Sequence, residues 1–334
     1  MKRAVLLLLI VASLACAKRE HATGHASGKP ASSTETQPFR VGLLTPGSIN
    51  DGGWNALAWE GAQRIRRELG AEISHQETKT PAEMAEGFRA FGAKGFDLAF
   101  GHGFEYQDPA KQAGTQYPQT IFVTTSGNTV AQNVAPMRFQ IEEATYVLGV
   151  IAARESKTGK AGLVGGINVP SIVSSFEAFK AGAKSVNPNF EVREIFTGNF
   201  DDPGAAKLAA LSLINAGCDY LFHQANEAAA GVFQACIERK VRCFGANADQ
   251  SHLAPDVIVA SAVVDVAGAY VQMAKIVRDG RFKPQIQHFG TNQGTVLVAW
   301  NEKLKKEIAP ATVAEVERVT NAIKSGAVKP PAGF

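Results

Sequence analysis

Cysteine is scarce in this chain: four residues among 334, too few for a disulfide-built scaffold. Beyond Cys16, the contexts of Cys218, Cys236 and Cys243 are apolar and favour buried free thiols. A Cys236–Cys243 bridge in an oxidising compartment is the other reading. No Cys/His cluster has zinc-ligand spacing, and the seven histidines are scattered, so no metal or other cofactor is expected. Charge is sparse too, at 19% of residues with a net +3. There is no basic block and no Lys/Arg stripe interleaved with aromatics, which argues against a nucleic-acid partner. The chain also lacks a Walker loop and a Gly-x-Ser-x-Gly elbow. Gly101-His102-Gly103 is without the third glycine of a dinucleotide fingerprint and follows the wrong strand. Asp51 has no second carboxylate nearby with which to build an acid–base pair, and His223 is near acids only in sequence. The one unbroken apolar run, Ala4 to Ala12, is too short to span a bilayer.

What is present begins at the N-terminus. Met1-Lys2-Arg3 is positive, residues 4–12 are apolar, and Ser13-Leu14-Ala15 stands just ahead of Cys16. Residues 17–38 are polar, with almost nothing to bury. This arrangement resembles a bacterial lipoprotein signal, although Ser13 occupies a place where such signals more often have leucine. The resemblance implies a signal peptide over 1–15, lipid on Cys16 and a flexible tether over 16–38. The protein would be anchored by lipid at the periplasmic face or the cell surface. A plain secretory signal cleaved nearby is the alternative.

From Phe39 onward, short apolar runs alternate with helical patterns. Strands are expected at 39–44, 71–75, 96–100 and 119–124, with helices at 55–69, 81–93, from 108, and at 142–154. The series then restarts, with strands at 161–165, 191–196, 219–222, 241–245 and 257–263. Helices at 173–186, 202–216 and 227–238 separate them, and two more are expected within 302–326. Such alternation specifies parallel sheets with right-handed crossovers. Two series breaking near 136–141 predict an α/β protein of two doubly wound lobes.

Ligands of such sheets bind beyond the carboxyl ends of the strands, and several loops there carry suitable chemistry. After the first strand, Asn50 and Asp51 precede two glycines, then Trp54 and Asn55. An aromatic plane beside an amide suits a flat heteroaromatic ligand; equally, Asn55 could cap the helix while Trp54 staples it. Gly103 and Phe104 follow the third strand. In the second series the candidates are His223 and Asn226, then Asn247 and Asp249, with Asp249 also suited to a turn. Phe200 has the alternative of an ordinary core position.

These loops, in this order, resemble the basic membrane protein family of substrate-binding lipoproteins, which includes bacterial purine nucleoside receptors. The resemblance covers the mature chain. It rests on Asn50–Asn55 with Trp59-Glu60-Gly61, Gly101–Phe104, Glu142–Ala144 with Leu148-Gly149, and Gly165–Pro170 with Ala181-Gly182. Gly198–Pro203, Asn215–Asp219 and Gly245–Gln250 complete it. It implies the type I periplasmic-binding-protein fold, with three crossings near 137–141, 262–267 and 288–292. The N-terminal lobe would comprise 39–137 with 266–288, and the C-terminal lobe 138–265 with 289–334. The implied function is that of a non-enzymatic, monomeric receptor closing on a small ligand for an ABC permease. Trp54 stands where nucleoside-binding relatives stack a phenylalanine on the base. Asn247 replaces an aspartate that holds ribose hydroxyls, and Ala260–Asp265 lacks an expected lysine, with alanine at 262. An amide beside alanine accepts sugar hydroxyls poorly. The His223–Asn226 run is similar to the branch of the family associated with free bases, so an adenine-like purine base is favoured over a nucleoside. The alternatives are a ligand sensor for a signalling receptor and, with least support, an extracytoplasmic nucleoside-processing enzyme.

Overall fold

The computed structural model describes residues 38–332, so the expected export signal, Cys16 and most of the expected tether lie outside the described residues. The chain runs β1 (Arg40–Thr45), α1 (Trp54–Leu69), β2 (Glu72–Glu77), α2 (Pro81–Ala93), β3 (Leu98–Gly101), α3 (Gln107–Gln116), β4 (Ile121–Thr125) and β5 (Val134–Phe139). It continues through α4 (Ile141–Glu155), β6 (Lys160–Gly165), α5 (Pro170–Val186), β7 (Glu191–Phe196), α6 (Pro203–Asn215), β8 (Tyr220–Gln224), α7 (Ala229–Arg239) and β9 (Arg242–Asn247). Then follow β10 (Ile258–Val264), α8 (Val266–Arg278), β11 (Gln287–Phe289), β12 (Val296–Trp300), α9 (Glu302–Lys305) and α10 (Pro310–Lys324).

Among the described residues twelve strands form two sheets with one plan. The first has the order β2-β1-β3-β4-β5-β11, the second β7-β6-β8-β9-β10-β12. Every pairing is parallel except that of β12 with β10. The α/β, doubly wound expectation holds. Sequence patterns missed β5, because Pro136 interrupts its apolar run; the strand is nevertheless paired on both sides, with Thr124 of β4 opposite Pro136. Helix α8 also went unassigned. Its start is nonetheless signalled, since the Asp265 carboxylate accepts the Gly268 N–H at 2.8 Å.

The chain passes between sheets three times: from β5 into α4, from β10 into α8, and from β11 into β12. α8 packs on α1, and α4 packs on α5. The second contact is unusually close. A Cβ on Gly149 would stand 2.1 Å from the Phe179 carbonyl oxygen, and one on Gly182 would stand 1.9 Å from that of Tyr146. Those two glycines let helix backbones touch. Cys218, Cys236 and Cys243 are buried and unbridged.

Both sheets share the 2-1-3-4-5 order, whose switch points fall between β1 and β3 and between β6 and β8. The carboxyl ends of both sets of strands face one cleft, and the sequence-predicted loops follow those ends.

Candidate functional site

The loop after β1 has a local logic that sequence left open. Asp51 is the residue that caps α1. Its Oδ1 accepts the N–H groups of Gly53 and Ala56 at 2.9 Å each, and its Oδ2 accepts that of Asn55 at 2.9 Å. A carboxylate at a helix N-terminus also meets the positive end of the macrodipole. The cap reading of Asn55 is thereby displaced. Its side chain is 3% exposed, lines the cleft, and has an Oδ1 without a partner. A buried amide oxygen is costly to leave unpaired.

Trp54 is held in place by a residue that sequence reading passed over. His102 stacks against it with centroids 3.9 Å apart and planes 23° apart. The His102 Nε2–H donates to the Trp54 carbonyl at 2.9 Å, so Nδ1 is left to accept the Tyr270 hydroxyl at 2.7 Å. Complete burial pushes the imidazole down to about 3 and keeps it neutral. Tyr270, on α8, lies flat on Phe100 at 4.1 Å. Phe139 meets the indole edge-on at 6.1 Å. The indole therefore enters the cleft as a braced plane. Tyr270→Phe, which removes only the hydroxyl, should weaken binding of a stacking ligand about fivefold, the worth of one hydrogen bond. Calorimetry reads the loss, and the near-UV dichroism of the ligand-free indole should change with it; an unchanged spectrum and affinity would reduce this chain to packing.

The cleft encloses about 520 Å³, within the range of small-molecule sites. Of the predicted residues it brings together Asp51, Trp54, Asn55, Gly103, Phe104, Phe200, Asn226 and Asn247. Phe200, for which a core position was the alternative, faces the cleft from the second lobe. It leans on Gly166, where a Cβ would stand 2.2 Å from the ring. Three predicted residues are not in the lining. Asn50 is exposed on its loop. His223 is a buried residue of β8 itself, with Nε2 donating to Gln250 Oε1 at 3.0 Å and burial pushing it down to about 4. Asp249 uses its carboxylate on the N–H and hydroxyl of Ser251. Ala262, where a lysine was expected, is fully buried in the core, whereas Val264 two residues on reaches the cleft.

Among the described residues four non-glycine positions have left-handed backbone, and three of them, Ser126, Asn226 and Asn247, line this cavity just past β4, within the turn after β8, and at the end of β9. Strain of this kind gathers where a backbone is shaped for a ligand. The lining is acidic: Asp51, Glu77, Glu105, Glu142, Asp201 and Glu227 face a single cation, Lys79, which pairs with Glu77 at 3.1 Å. Such a cleft repels phosphorylated ligands and suits neutral ones rich in N–H donors. Among the described residues no His, Cys, Asp and Glu group could hold a metal ion.

The Bmp family, described as ABC transporter substrate-binding protein PnrA-like, matches residues 39–332. The chain belongs to that family. A protein of Brucella abortus named as purine-binding is 31% identical over 301 residues, covering 89% of this chain and 84% of its own. An ABC transporter nucleoside-binding protein of Lactococcus lactis is 26% identical, covering 79% and 80%. A solute-binding protein of Aeropyrum pernix K1 superposes with a TM-score of 0.80 at 25% identity, covering 87% of this chain and 93% of that one. This Bmp-family protein is thus an ABC-transporter substrate-binding protein of the extracytoplasmic kind, from a family of receptors rather than enzymes. No helix among the described residues is long and apolar enough to cross a membrane.

Proposed function

We propose that this Bmp-family protein binds a free purine base, adenine-like, between its lobes and delivers it to an ABC permease as a lipid-anchored monomer held by Cys16. The observation that carries the ligand assignment is the pair Trp54 and Asn55. A braced indole offers the base a stacking plane, and a buried amide with an unpaired oxygen offers its edge a hydrogen bond. Phe200 supplies an aromatic face from the other lobe, and hinge closure about the three crossings would bring it toward the base. The names of the Brucella and Lactococcus relatives support a purine-type ligand. Base is favoured over nucleoside by Asn247 and Val264, which give ribose neither a carboxylate nor an ammonium.

Calorimetric titration of the full chain, unfolded and refolded to strip bound ligand, with adenine, guanine, adenosine and guanosine tests this. Adenine should bind more tightly than its nucleoside by roughly tenfold or more. Nucleoside preference would overturn the base assignment, and no binding by any of the four would overturn the purine reading.

A further inference from the structure

The two acids that open α4 have different tasks. Glu143 Oε2 accepts the Thr291 N–H at 2.6 Å, fastening the first crossing to the third. Glu142 lines the cleft and is 5% exposed. Its carboxylate touches its own backbone N–H, and its nearest cation, Arg138 Nη2 on β5, stands off at 3.9 Å, beyond hydrogen-bonding distance. A nearly buried carboxylate with so little compensation is expensive to hold ionised. Burial indeed pushes it up to about 7, against the pull of its own N–H and Arg138 and with a further push from Glu143. Two other groups with displaced titration bear on this side: Glu105 in the cleft lining, which burial also pushes up, and His288 of β11, which burial and Arg138 keep below its usual range.

A carboxylate placed in this way has acceptor capacity to spare, and the cleft it lines is the side from which a further donor can reach it. An ionised carboxylate only accepts hydrogen bonds. Among the hydrogens of adenine, the imidazole-ring N–H is the most acidic, and it is the one that a nucleoside has exchanged for its sugar. Resting on the purine reading, we propose that Glu142 accepts the imidazole-ring N–H of the bound base and is the residue that separates base from nucleoside. Binding then favours ionised Glu142. Below its free value the carboxyl starts protonated, so docking of the base releases that proton to solvent. Affinity is greatest above neutral pH and declines as pH falls through that value.

The test is calorimetry of the full chain with adenine, 9-methyladenine and adenosine at about pH 6 and about pH 8, in two buffers of different ionisation enthalpy. The wild type should prefer adenine to 9-methyladenine by roughly ten- to a hundredfold, the worth of a charge-assisted hydrogen bond. Adenine should also release a proton at the lower pH. Glu142→Gln, which keeps shape and cannot ionise, should bring the two ligands level and abolish the release. Glu142→Asp, which withdraws the carboxylate by one methylene, should fall between and serves if the Gln variant does not fold. A preference for adenine that survives either substitution unchanged makes the discrimination steric and overturns the inference alone. Failure of adenine to bind the wild type overturns the adenine-like assignment, and the inference with it.

Discussion

Trp54→Ala should weaken adenine binding by roughly ten- to a hundredfold, since stacking of a base on an aromatic ring contributes about 1–3 kcal/mol. The physical basis is the bracing beneath the ring. A mobile indole would have to be ordered at binding, whereas this one is already fixed between His102, Phe139 and the bond from His102 to its own carbonyl. Trp54→Phe should recover most of the loss, because the plane is kept. Calorimetric titration of both variants decides the matter. An affinity within about twofold of wild type for Trp54→Ala would mean that the ligand sits elsewhere in the cleft and that Trp54 only covers His102.

The second large effect concerns stability. Gly182→Val should lower the melting midpoint by roughly 10 °C or more, even though position 182 is remote from the strand-end loops. The Cβ would fall 1.9 Å from the Tyr146 carbonyl oxygen, and a backbone oxygen cannot swing aside as a side chain can. Relief requires α4 and α5 to separate, which opens the apolar layer shared by Leu148, Phe176 and Phe179. The cost therefore exceeds the ~1–3 kcal/mol of ordinary overpacking. Thermal unfolding followed by far-UV dichroism measures it. A midpoint within about 2 °C of wild type would mean that the helices can slide apart cheaply.

These two residues also mark how differently parts of the protein could be read. Gly182 belongs to a motif recognisable in the chain, yet its reason for being glycine is a backbone atom contributed by residue 146, on another helix. Trp54 was recognised as a candidate plane because it follows a strand and two glycines. Its support comes from residue 102 and, behind that, residue 270, separations over which no local pattern runs. Asp51 was named among the ligand contacts, and it does line the cleft, but its oxygens hold the first N–H groups of α1. His223 and Asp249 were chosen because they follow strands. One was lost to a core hydrogen bond with Gln250 and the other to a turn with Ser251.

The sequence by itself determined the architecture, because alternating strand and helix periods and the loops at strand ends are local properties of a chain. It also determined the family, through motifs spread over nearly its whole length. The tertiary structure decided which side chains look into the cleft and which partners they lack. Asn55 acquires its meaning from burial with an unpaired oxygen, and Glu142 from burial in the cleft wall with Arg138 standing off at 3.9 Å. Burial of that sort is made by elements distant in sequence and brought together only when both sheets have formed.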